Sequence, residues 1–102
     1  MQIIDEPLLD RFRHQGFCEW CRQRTRQRIE PHHYFIRRGM GGGSRLDHPY
    51  NLIGLCGPAL NNCHNLVHDG HILKIDLLLI VADREQVSQG QIKATLWGIL
   101  RR

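Results

Sequence analysis

No apolar run in this chain is long enough to cross a bilayer. The longest, from Leu77 to Ala82, falls far short of the roughly 20 residues that a membrane helix needs. The first residues, MQIIDEPLLD, lack the basic and apolar regions of a secretory leader. A cytoplasmic location is therefore expected. There are only four cysteines, and in a reducing compartment they do not read as a disulfide framework. Lysine is scarce too. Of 14 cationic residues only Lys74 and Lys93 are lysines, so the basic character is carried by arginine. No internal repeat and no long linker divides the chain, so a single domain over residues 1–102 is expected.

What is present is more informative. The 102 residues carry a net charge of +4, mostly as guanidinium groups, whose planar fork suits phosphate. Charged residues make up 24% of the chain, an ordinary share that argues against a disordered tail. A chain of this size buries one modest core, and a structural metal would help to hold it.

The pattern predicts an α+β order. Asp5 caps a first helix, with Pro7 in its opening turn, Leu8, Leu9 and Phe12 as its apolar stripe and Gly16 as its end. A tight turn follows at FCEWC, then a strand over residues 28–36. Residues 37–48, with GMGGGS inside them, read as a loop. A second strand is expected over 50–56, a loop over 57–62, and a short helix from Cys63 to about Gly70. Two further helices close the chain. One starts near Ile75 with Leu78, Leu79 and Ala82 on one face, and the other is capped by Ser88.

Cys18 and Cys21 form a CxxC pair, and Cys56 and Cys63 form C-x6-C beside turn-forming residues. Four thiolates on two tight loops can close a tetrahedral zinc site. A redox CxxC is the competing reading, but the βαβ context of that motif is missing. His64 and His68 are four apart on the short helix, so both imidazoles share one face and can share one metal. His32, from the strand, is a candidate third ligand. His33 follows it directly, and an ideal strand would send it to the opposite face. A three-histidine metal keeps open positions for a phosphate oxygen and water, and an imidazole outside the ligand set can serve as a general base. Alternatively, His64 or His68 joins the cysteines in a mixed structural site.

Taken together, IEPHHYFIRRGMGGG, DHPYNLIGLC and CHNLVHDG resemble the HNH endonucleases, the ββα-metal or His-Me finger family, and in particular the small HNH proteins of bacteriophages and their hosts. The match spans residues 18–70, with residues 73–102 as a helical C-terminal extension. The resemblance implies a ββα-metal core with a structural zinc knuckle, an N-terminal helix and a helical tail. It implies that His33 is the general base and that Asn51 holds the loop between the strands. His32, His64 and His68 would bind the catalytic divalent metal (Mg, Mn, Ni or Zn), and Cys18, Cys21, Cys56 and Cys63 the structural zinc. Arg37, Arg38 and Arg45 flank the glycine loop as expected DNA phosphate contacts. The implied activity is hydrolysis of DNA phosphodiester bonds, duplex or branched, in a bacterial cell carrying a phage or prophage. One departure is the six residues GPALNN between Cys56 and Cys63, where the family often has two. The tail can dock on the domain, pair two copies, or hold a packaging or recombination partner. His48 and His71 match no motif position and are expected at the surface. The alternative is a non-catalytic zinc module that contacts DNA or protein.

Overall fold

Asp5 starts helix α1 (Glu6–Arg13) as expected: its Oδ1 accepts from the Leu8 N–H at 3.1 Å. Leu8, Leu9 and Phe12 face inward and form a small cluster with Leu52. The computed structural model describes residues 2–37 and 45–101. Arg38 and the glycines of the 38–44 segment lie outside the described residues. Ahead of α1 is a short strand that the sequence pattern did not reveal, β1 (Gln2–Ile3). It pairs in parallel with β3 (Arg45–Leu46), inside what had read as loop. A two-residue ladder leaves no periodicity to read.

The central pair is β2 (Glu30–His33) against β4 (Leu52–Leu55), antiparallel, with His32 opposite Ile53 and His33 opposite Leu52. Both strands are shorter than the sequence suggests. Pro31 stands opposite Gly54. Gly54 turns its N–H to the Glu19 carboxylate at 2.6 Å and accepts the Glu19 N–H at 2.8 Å. Its backbone groups thus point away from β2, and the donor that Pro31 lacks costs the ladder nothing. A Cβ on Gly54 would meet the buried Ile29 side chain at 2.9 Å as well as the end of Gln15 at 2.5 Å, so a larger residue here forces the core to shift.

A 3-10 turn (Pro49–Asn51) leads into β4. His48, expected at the surface, instead caps that turn. It is half-buried, its Nδ1 accepts from the Tyr50 N–H at 3.0 Å, and its ring lies 4.8 Å from that of Tyr50. His71 is exposed, as expected. Helix α2 (Cys63–His68) is followed by Gly70 at φ 80°, a left-handed turn that glycine adopts without strain.

Helices α3 (Lys74–Glu85) and α4 (Gln89–Leu100) form the tail, and Ser88 caps α4 through the Gln91 N–H at 3.0 Å. Leu77, Leu78, Val81, Ala82, Ile92 and Leu96 share one core cluster with Ile29, Ile53 and Leu55. The tail is therefore docked on the strand pair. Leu79, placed on the buried face by the sequence, is 50% exposed; the inward stripe passes through Leu77 and Val81 instead. The result is a small α+β fold with four α-helices and short strands among the described residues. None of its helices is long and apolar enough to cross a membrane.

One buried ion pair bolts the tail in place. The Arg84 Nη1 reaches both Glu19 oxygens at 2.7 and 3.0 Å, and its Nη2 donates to the carbonyls of Pro49 and Leu52. Glu19 is 2% exposed. Replacing Arg84 by Met strands that carboxylate, and the expected loss is about 3 kcal/mol. In a domain this size, that lowers the thermal midpoint by roughly 12–24 °C. Adding Glu19→Gln should recover part of the loss, because the buried charge goes with it. Circular-dichroism melts of the two variants check both expectations.

Candidate metal centres and catalytic cleft

The turn at Cys18–Cys21 and the segment from Cys56 to Cys63 bring four sulfurs within 4.8 Å of one another. The Cys21 and Cys56 sulfurs are 4.0 Å apart, too far for a disulfide and close to the roughly 3.8 Å edge of a zinc–thiolate tetrahedron. GPALNN does not prevent closure. It folds back through the Leu60 and Asn62 N–H groups, both bonded to the Gly57 carbonyl. Asn61 Nδ2 then points at the Cys21 sulfur at 3.3 Å, and the Cys63 N–H at the Cys56 sulfur at 3.5 Å. Donors aimed at sulfur favour thiolate. Burial raises the Cys21 thiol, but Asn61, the Gln23 N–H and the neighbouring thiols outweigh it and leave it at about 7. Burial pushes Cys18 and Cys63 up. Such a cluster gains its thiolates by binding a cation, and these four cysteines can hold a structural metal such as zinc.

The histidines gather separately. His64 and His68 lie one turn apart on α2 with ring centroids 4.6 Å apart, and His32 on β2 faces them at 5.2 and 5.4 Å. One ring nitrogen from each lies within 4.8 Å of the others. His32 Nε2 is buried without a hydrogen-bond partner. A buried orphan imidazole nitrogen facing two more imidazoles is the arrangement that a metal ion satisfies. Burial, then repulsion from His64 and His68, lowers the His32 pKa to about 4. Burial and His68 lower that of His64. His32 is therefore neutral and able to ligate at ordinary pH. The two clusters use different residues, so the mixed cysteine–histidine site is not needed.

His33, the last residue of β2, points elsewhere. Its Nε2 meets Asp47 Oδ1 at 2.7 Å. Asp47 is itself held by the Asp5 N–H at 2.8 Å and by Arg45 at 3.1 and 3.0 Å. Burial raises the Asp47 carboxyl, yet Arg45, Asp5 and His33 together hold it below the usual range. An ionised carboxylate only accepts, so His33 Nε2 is the donor in this contact and Nδ1 is the ring nitrogen left to face other groups. Nothing in the residue pattern singled out Asp47, although it stands inside the DHPYNL stretch.

Asn51 is fully buried. Its Oδ1 accepts the Ile36 N–H at 2.7 Å, and its Nδ2 donates to the carbonyls of Ile36 and Leu46 at 2.9 and 2.8 Å. It thus joins both ends of the segment between β2 and β3. With its amide spent on backbone, it is a tether and not a metal ligand. His32, His33, His64 and His68 open on one cavity of about 600 Å³, whose wall also includes Arg13, Arg37 and Arg45.

No family model, curated protein or solved structure matches the chain.

Two measurements follow. Elemental analysis of the purified chain should find one tightly held zinc, lost in Cys18→Ser and retained in His32→Ala. The depressed His32 pKa also carries a sign. The unfolded chain takes up this proton first, near pH 6.5. Without metal at the histidines, the His32 contribution to stability is complete above about pH 6.5 and is lost as pH falls towards about 4. Urea midpoints between these limits should fall less steeply in His32→Gln.

Proposed function

We propose that the protein is a metal-dependent endonuclease that hydrolyses DNA phosphodiester bonds, built on the ββα-metal arrangement that the HNH resemblance implies. One observation carries the reading: three imidazoles converge beside a fourth that a buried carboxylate holds by one ring nitrogen. A structural zinc module needs neither group. The order of β2, β4 and α2, with Asn51 tethering the intervening segment, supports the same reading.

His32, His64 and His68 would hold the ion. When bound, it supplies Lewis acidity to the scissile phosphate and offsets charge at the leaving oxygen. An all-imidazole set suits Zn, Ni, Mn or Co better than Mg, which prefers oxygen ligands. His33 Nδ1 takes a proton from water as the water oxygen attacks phosphorus. Asp47 fixes the His33 ring and stabilises the imidazolium that forms, and Arg45 keeps Asp47 ionised. Arg37 and Arg45 line the cleft where a phosphate would enter. The bond to the 3′ oxygen breaks and that oxygen takes a proton from solvent, leaving a 5′-phosphate and a 3′-hydroxyl, as the family resemblance implies.

Supercoiled plasmid incubated with Mg, Mn, Ni, Co or Zn, or with EDTA, tests this. Nicking or linearisation should require a divalent metal and fall about 100- to 10,000-fold in a folded His33→Ala variant. Equal cleavage by both would exclude His33 as the base. Absence of cleavage in every metal, with DNA still shifted in a gel, would favour the non-catalytic zinc module.

A further inference from the structure

Arg13, at the end of α1, matches no motif position and lines the same cleft. Its Nη1 bonds Asp10 Oδ1 at 2.7 Å and Glu6 Oε2 at 3.2 Å. The other Glu6 oxygen, Oε1, takes Arg45 Nη2 at 3.2 Å. One carboxylate therefore spans two guanidinium groups, one oxygen to each. Two non-bridging oxygens of a phosphodiester present the same pattern of acceptors. The Arg13 Nε–H is buried and has no acceptor.

Glu6 has the longest contacts to the arginines. Its side chain is 56% exposed, close to the 58% of Asp10, against 20% for Arg13 and 16% for Arg45. Its two contacts are longer than those that hold the arginines to Asp10 and Asp47. A half-exposed carboxylate swings into water at little cost, while the arginines stay in place.

We propose that Arg13 and Arg45 form a second phosphate subsite in the cleft, and that Glu6 occupies it in the free protein as an internal stand-in for a phosphate of the nucleic-acid backbone. The inference rests on the nucleic-acid reading of the cleft. Arg45 also holds Asp47, which holds His33. A backbone phosphate seated on Arg13 and Arg45 thereby places the strand in register with the His33 ring. Glu6 acts as a competitor that a strand must displace, and it disfavours single small anions that cannot replace both contacts.

Fluorescence anisotropy with a short labelled DNA duplex, without added divalent metal, tests this on the full chain between about 50 and 200 mM salt. Glu6→Gln should tighten binding about fivefold. Asp83→Asn, which removes one acidic charge on another face, should change binding by less than about twofold. Arg13→Gln should weaken binding and flatten the plot of log affinity against log salt by about 0.9. In the Arg13→Gln background, Glu6→Gln should have almost no effect. Arg13→Lys, which keeps the charge without the fork, should behave as an intermediate and guards against a folding defect. Equal gains from Glu6→Gln and Asp83→Asn, or a Glu6→Gln gain that survives loss of Arg13, would overturn the subsite. If the wild type cuts plasmid and binds duplex but Glu6→Gln matches it, the subsite alone fails. If the wild type does not bind duplex at all, the nuclease reading fails with it.

Discussion

Cys56 leaves the end of β4 and Cys63 opens α2, and both sulfurs meet those of Cys18 and Cys21. This is the constraint on which the site depends. Helix α2 has six residues, too few to be stable alone in water. Its position against β2 is fixed by a sulfur cluster at its first residue and by the packing of Val67 into the core. His64 and His68 ride on that helix. A shift of α2 would carry both imidazoles away from His32, so the cluster that braces the fold also sets the geometry of the histidines.

Two buried polar groups hold the remaining parts. The Asn51 amide joins Ile36 to Leu46 and so ties the chain after β2 to β3. Glu19 and Arg84 join the turn before β2, the backbone of β4 and the tail helix α3. Each is nearly fully satisfied, as buried polar groups must be to avoid a penalty of about 1–3 kcal/mol. The tail is therefore part of the same core as the strands that carry His32 and His33. That arrangement provides the apolar area that a domain of this size lacks without it.

The Cys18/Cys21 and His64/His68 pairs were legible from spacing, because CxxC and a four-residue helical repeat put ligands together over short range, while His32 was a candidate whose ligand role came from the family resemblance. The caps at Asp5 and Ser88 were legible for the same local reason. Asp47 was not, since its contact with His33 closes over 14 residues and no local pattern encodes it. Arg13, Glu6 and the Glu19–Arg84 pair escaped in the same way, the last across 65 residues. Leu79 was misplaced because α3 is rich in apolar residues all round its axis, and only packing chooses which of them face inward.

The sequence by itself determined the order of the four helices and of β2 and β4, the two sets of residue types able to ligate a metal, and the arginine-rich balance of charge. These depend on residue identity and on separations of a few positions, where helix and turn geometry leave little choice. Only the tertiary structure decided that the histidines and cysteines form two clusters, not one, and that His33 turns to Asp47 while His32 turns to α2. It also decided that Arg13 reaches the cleft from the far end of the chain. Those outcomes come from strand register, the sulfur cluster and burial, each of which sums contributions from residues distant in sequence. No short stretch carries that sum.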